Sequence, residues 1–188
     1  RANFVGSGLN PIGVSERLLG RMVQAGFRSL ICTAESASDA VIRSLRKGFT
    51  RADVENVARL TAKAGLRTLW IFLVGGPGET PGTVLETLDF IHQHTAPGDV
   101  SYITNGVRIY PYTALAGIAM QEGIVKSQEE LIDPKFYFSS ALDRTWLRDT
   151  MIRHSRQDPR IITSERSQHP VIPYGLRMLS MLGVQKPF

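Results

Sequence analysis

The segment that most constrains this chain is LWIFLV, Leu69 to Val74, six apolar residues in a row, followed at once by the turn sequence GGPGE. An amphipathic strand with one face in water alternates apolar and polar residues, so a continuous apolar run bounded by a turn predicts a strand covered on both faces, as in a parallel sheet. The run is far short of the ~20 residues a membrane-spanning helix needs.

Helical periodicity surrounds this strand. SERLLGRMVQAG places Leu18, Leu19, Met22 and Val23 on one face, with Ser15 to cap its start and Gly26 to end it. FRSLICTA then reads as a short buried strand. Ser36 and Asp39 have capping-box spacing before AVIRSLRKG, and Thr50 with Asp53 repeats that spacing before a stripe of Val54, Val57, Ala58, Thr61 and Ala64. Thr80 and Pro81 suit the cap and first turn of a helix carrying Val84, Leu85, Leu88 and Ile91. VSYITNGVRIY is the next strand, and Thr113 starts ALAGIAMQEG.

With NFVGSG as an opening strand, parallel neighbours are expected near residues 3–8, 29–34, 67–74 and 100–109, with helices outside. The fold class is therefore α/β, a partial (βα) barrel of parallel strands over residues 1–125, followed by an irregular and helical C-terminal extension over residues 126–188. In that extension KSQEELIDPKFYFSS reads as loop with a short extended piece, Asp143 to Gln157 as a helix, DPRIITSERSQHPVIPY as irregular, and Leu176 to Leu182 as a last short helix.

Composition narrows the partners. The first residue is Arg1, and RANFVGSGLNP lacks the basic start and apolar core of a signal peptide, so an internal start within a longer polypeptide is expected. The single cysteine, Cys32, excludes an internal disulfide and cannot alone build a thiolate metal centre. It is expected to be buried in its strand, and the cytoplasm is the expected compartment. The formal charge of +5 raises the alternative of an RNA- or polyanion-binding module. RSLRKGFTR, with Arg43, Arg46, Lys47 and Arg51, is the densest basic stretch, and no zinc-finger spacing or aromatic RNA-binding strand accompanies it. The histidines His92, His94, His154 and His169 show no metal-ligand spacing.

Parallel α/β folds bind ligands at the C-terminal ends of their strands. Four places qualify: Ser7 to Asn10, Glu35 with Ser36, Gly75 to Glu79, and Arg108 with Tyr110. Glu35 and Ser36 would bring a carboxylate and a hydroxyl to the barrel mouth, unless they serve only to cap a helix. The glycines of VGGPGE let backbone approach a flat or anionic ligand, although turns use Gly and Pro in any case. No Lys-Ser or Lys-Thr follows them, so the segment is no Walker A loop, while another βα-barrel enzyme with a phosphate-binding GGPGE turn remains an alternative.

In order, AESASDAVIRSLRKGFTRADVENVARLTAKAGL, WIFLVGGPGET, VRIYPYTAL and EGIV resemble the radical S-adenosylmethionine (SAM) superfamily over about Asn3 to Val125. The likeness is greatest to the branch with an N-terminal cobalamin-binding domain, in which "ESGSD…L…KG.T", "G.PGET" and "R.YPGT.L" follow one another. The resemblance implies a SAM-cleaving Fe-S oxidoreductase or transferase. A CxxxCxxC loop holds a 4Fe-4S cluster in that family, and the reduced cluster cleaves SAM to a 5′-deoxyadenosyl radical. That loop is absent here, so the resemblance implies a fragment, inactive alone, with the cluster ligands and possibly a cobalamin domain in upstream parts of the same polypeptide. Carried over, Glu35 and Ser36 match a polar pair facing the ribose or methionyl part of SAM. Gly75, Gly76 and Glu79 match the glycine-rich turn near the adenine, and Arg108 with Tyr110 lie close to cofactor or a small-molecule substrate. Thr33, Ala37, Phe72 and Tyr112 stand where the family has glycine. A homodimer through the exposed edge of the first strand is also expected.

Overall fold

A computed structural model describes residues 3–164. In chain order the elements are β1 (Phe4–Leu9), α1 (Glu16–Ala25), β2 (Phe27–Glu35), α2 (Asp39–Ser44), α3 (Arg51–Lys63), β3 (Arg67–Val74), α4 (Pro81–His94), β4 (Val100–Asn105), β5 (Val107–Ile109), α5 (Ala114–Gln121), β6 (Lys135–Tyr137), α6 (Arg144–Gln157) and β7 (Ile161–Thr163). The main sheet has the order β1-β2-β3-β4-β7, and every pairing is parallel. Four of these strands are the expected neighbours in the expected order. The fifth, β7, lies in a segment expected to be irregular: Ile161, Ile162 and Thr163 pair with Ser101, Tyr102 and Ile103.

Local chemistry starts the helices as the sequence predicts. Ser15 Oγ accepts from Leu18 N–H, and Gly26 closes α1 at φ 102°. Thr50 and Asp53 form a complete capping box on α3, Thr80 and Thr83 form one on α4 with Pro81 in the first turn, and Asp143 caps α6. Two expectations need correction. Leu18 is 43% exposed while Leu19 is buried, so the inward stripe of α1 is narrower than its periodicity. The Ser36–Asp39 box does not form. Glu35 turns the chain at φ 62°, which carries Ser36 into the interior; α2 starts behind Ser38, and Asp39 accepts instead from Arg51 N–H at 2.8 Å.

One face of the sheet is sealed. Leu30, Cys32 and Ala34 of β2, Trp70, Phe72 and Val74 of β3, Ile103 of β4 and Ile161 of β7 are buried with residues of α3, α4 and α6 in one core. Trp70 and Phe72 meet Phe90 of α4 edge to face, at 5.8 and 6.0 Å between ring centres. Burying each of these Phe side chains contributes roughly 1.5–3 kcal/mol. At the N-terminal end of the strands, the buried Asp99 carboxylate accepts from Thr68 N–H (2.8 Å), Trp70 Nε1–H (3.0 Å) and Ala96 N–H (3.1 Å). The other face differs from the expectation of cover on both sides: Ile31, Leu69, Ile71, Leu73, Tyr102 and Ile162 are only half-buried. The run LWIFLV thus comes from a strand with two apolar faces, of which the helices close one.

The strand expected over 100–109 is broken. Gly106, at φ 83°, ends β4, and β5 leaves the sheet to pair antiparallel with β6. With α5 and a 3-10 turn at Glu129–Leu131, these strands enclose a small second core of Ile109, Ala116, Ala119, Val125, Leu131 and Tyr137. α6 and β7 then return to the main sheet. The helix expected near Leu176 to Leu182 lies outside the described residues. No helix among the described residues is long and apolar enough to cross a membrane.

Candidate active site

The loops after β2, β3 and β4 meet at the C-terminal end of the sheet. Glu35 ends β2 with its side chain 17% exposed, and its carboxylate pairs with the ammonium of Lys47 just beyond α2. Ser36 is buried; its hydroxyl shares a hydrogen bond with Thr87 of α4 (3.2 Å) and accepts from Ser38 N–H (3.1 Å). That hydroxyl ties the loop after β2 to α4.

The glycine turn after β3 is folded around its own acid. Glu79 is fully buried, and its carboxylate accepts from Gly75 N–H and from the Thr83 hydroxyl, each at 3.2 Å. Burial outweighs these bonds and pushes the carboxyl up to about 7. Gly75 and Gly76 are buried too. A Cβ on Gly75 would come within 3.0 Å of the Phe138 ring, and one on Gly76 within 3.3 Å of Val107. On its far side the turn touches Ser44, which lies 3.5 Å from where a Cβ on Gly78 would stand. α2, the glycine turn and the start of β5 are therefore one packed unit.

Arg108 and Tyr110 reach this end on the antiparallel ribbon rather than on a parallel strand. The Arg108 guanidinium lies 4.8 Å over the Tyr110 ring, and Tyr110 is 54% exposed. At the end of β1, the remaining expected place forms a plain turn in which Asn10 Oδ1 accepts from Ile12 N–H. Of the residues expected from sequence, Glu35, Arg108 and Tyr110 offer partly exposed groups, while Ser36, Gly75, Gly76 and Glu79 shape the frame that holds them.

Phe138 and Ser139 also belong to this site, with no local sequence signal that marks them. Ser139 N–H donates to Gly75 O (2.9 Å) and its hydroxyl to Glu79 O (2.8 Å), so FYFSS roofs the glycine turn. Only the extended character of FYFSS was readable, since its target is about sixty residues away in sequence. Nor did spacing reveal that His92 of α4 meets His154 of α6 (Nε2 to Nδ1, 3.0 Å) and Asp158 (3.2 Å) on the outer helical layer. No group of metal-ligating side chains assembles among the described residues, and His169 lies outside them. Cys32 is buried on the helical face, where desolvation pushes its thiol up to about 12.

Comparison with known proteins places this geometry. Residues 4–91 match the family model of the radical SAM superfamily. The radical SAM methyltransferase TsrM from Kitasatospora setae, solved with cobalamin and a [4Fe-4S] cluster bound, is 26% identical with a TM-score of 0.56. The alignment covers 63% of this chain and 23% of that one, so the chain spans about a quarter of TsrM's length. The TsrM structure with tryptophan substrate and the SAM analogue aza-SAM gives the same values. Elp3 from the archaeon Methanocaldococcus infernus, with an N-terminal deletion, shares the fold at 16% identity and a TM-score of 0.50, over 74% of this chain and 35% of that one. No curated protein matches significantly.

Proposed function

From the match of residues 4–91 to the radical SAM family model, we infer that this chain supplies one wall of the βα barrel of a radical SAM enzyme, an oxidoreductase or transferase acting on a small molecule. The observation that carries the reading is the coincidence of that match with a parallel sheet whose C-terminal end gathers Glu35, the glycine turn and the Arg108–Tyr110 ribbon.

The cofactors of such an enzyme supply reductive cleavage of SAM to methionine and a 5′-deoxyadenosyl radical. The cluster does not fit this chain's own residues. Its sole cysteine, Cys32, is buried under helices with its thiol held protonated, and a 4Fe-4S site takes several thiolates. The thiolates come from upstream domains of the same polypeptide, and the fragment alone is inactive. An upstream cobalamin-binding domain, as in the branch that the motifs resemble, and a cytoplasmic, reducing location complete the proposal.

SAM fits better. Glu35 already binds a primary ammonium, that of Lys47, so its carboxylate suits the methionyl amine or the ribose hydroxyls. The half-buried Ile31, Leu69, Ile71 and Leu73 offer an apolar wall for the adenosyl group. Ser36 and Glu79 hold the two adjacent loops in place, Gly75 and Gly76 let Phe138 and Val107 close over the turn, and Arg108 with Tyr110 borders the substrate side.

The two alternatives are weaker in this geometry. A phosphate-binding turn needs free backbone donors, and Gly75 N–H is already given to the Glu79 carboxylate. In the basic stretch Lys47 pairs with Glu35 and Arg51 with Glu55, which neutralises half of the polyanion footprint. The deciding experiment is 5′-deoxyadenosine production by the intact, cluster-reconstituted polypeptide. Glu35→Gln should lower it at least tenfold at limiting SAM and less at saturation. An intact polypeptide that consumes no SAM would overturn the reading.

A further inference from the structure

Beside the glycine turn, between the end of β4 and the first two turns of α6, lies an open cavity of about 250 Å³ lined by Asn105, Phe138, Arg144, Thr145, Leu147 and Arg148. At roughly 30 Å³ per water it has room for a small acid with several waters. Its polar lining is biased toward donors. Arg144 and Arg148 are four apart on α6, which puts both guanidiniums on one helical face.

The Arg144 guanidinium carbon lies over the Phe138 ring, 4.3 Å from its centre, and the side chain makes no ion pair among the described residues. A guanidinium held over a ring face is restrained there by the cation–π attraction, and its N–H groups can still donate to an acceptor beside the ring. Arg148 gives one N–H to Asp149 at 3.3 Å in a pair more than half exposed on both sides, an interaction of small strength that leaves its terminal nitrogens available. Asp143, next to Arg144 in sequence, caps the helix by accepting from Trp146 N–H at 2.7 Å and forms no ion pair with either arginine among the described residues. That cap meets one N–H of the first turn, and it is the two arginines, with the Thr145 hydroxyl and Asn105 amide at the rim, that give the cavity its chemistry.

We propose that this cavity binds an oxyanion, a carboxylate or phosphate group of the ligand that the barrel mouth receives. Its floor, Phe138, is the ring that also covers Gly75 and Gly106, so a bound anion would sit at the C-terminal end of β3 and β4, where ligands of such sheets lie. Two guanidiniums offer the paired, planar donors that carboxylate and phosphate oxygens accept. That the anion belongs to the substrate rests on the function proposed above; that the cavity takes an anion does not.

The test uses this chain without SAM or cluster. Inorganic phosphate and, separately, acetate are titrated while the arginine side-chain N–H signals are followed by NMR, with sodium chloride at matched ionic strength as control. The expected result is a saturable shift of the Arg144 and Arg148 signals, with affinity falling at least tenfold in Arg144→Gln and Arg148→Gln, whose circular dichroism should match the parent. Saturation by phosphate alone assigns a phosphorylated ligand, by acetate alone a carboxylic acid, and by both an oxyanion of either kind. Shifts that only follow ionic strength, or that saturate equally in the glutamine variants, overturn the proposal and leave the SAM reading intact. Anion binding without 5′-deoxyadenosine formation by the intact polypeptide would sink that reading alone.

Discussion

The Phe138 ring lies where a side chain on Gly106 would have to go: a Cβ there would stand 2.5 Å from Cε2, on a backbone held at φ 83°. Gly106→Ala therefore meets both steric overlap with a packed ring and left-handed strain, and should cost more than about 2 kcal/mol. Gly75→Ala, whose Cβ would be 3.0 Å from the same ring, should cost less. Urea midpoints of the two variants check the order, and equal, small losses would mean that Phe138 is free to move aside.

Glu79 should make stability fall as pH rises. Burial, its largest influence, lifts the carboxyl from 4.5 to about 7, so the folded state holds this proton more tightly than the unfolded one. The contribution is complete below pH 4.5 and is lost as pH climbs through 7, by roughly 3 kcal/mol at most for a shift of this size. Glu79→Gln removes the dependence. Denaturation at pH 5, 7 and 8.5 should show the variant gaining on the parent at the alkaline end, and parallel curves would rule out a protonated Glu79.

Asp99 should be among the most costly polar residues to replace. Its carboxylate receives three N–H groups, from Thr68, Ala96 and the Trp70 indole, inside the sheet's lower end. Asp99→Ala strands buried donors at roughly 1–3 kcal/mol each, less where water enters, so a loss of about 3 kcal/mol is expected. Thermal unfolding followed by circular dichroism measures it; a shift of Tm within error would show that the donors find other partners.

β1 should drive self-association. It pairs only with β2 among the described residues, and Phe4 and Val5 on it are 47% and 53% exposed. An unpaired apolar edge recruits another strand, and a lysine there discourages it. Light scattering should show a concentration-dependent dimer that Val5→Lys reduces. A parent chain that stays monomeric at every concentration would mean that the edge is covered.

Much of the fold was readable because its signals are local. Ser15, Thr50, Thr80, Thr113 and Asp143 each cap a helix by bonding a residue three positions on, so four or five letters carry the information. The apolar run of β3 named the parallel sheet. What escaped depends on distant partners. Ser36 looked like a cap until Thr87, fifty-one residues on, drew it inside. VSYITNGVRIY is β-prone throughout, and the ring that fixes its break at Gly106 belongs to Phe138. Three residues, Ile161 to Thr163, are too few to announce β7 before β4 is there to pair with them. For the candidate site, residue type pointed to loops that meet at one end of the sheet, but which groups stay open to a ligand is decided by packing.

The excursion that begins at Gly106 and returns at Ser139 is pinned to two consecutive residues, the last of β3 and the first of the glycine turn, Gly106 N–H to Val74 O at 2.7 Å and Ser139 N–H to Gly75 O at 2.9 Å. Its two feet stand side by side, and it carries its own small core between them. Such a piece is a cassette: its contents can lengthen, shorten or be exchanged while the sheet beneath keeps its register. Variation there comes at little cost to the strands beneath, because surface excursions tolerate insertion and exchange better than the elements they join.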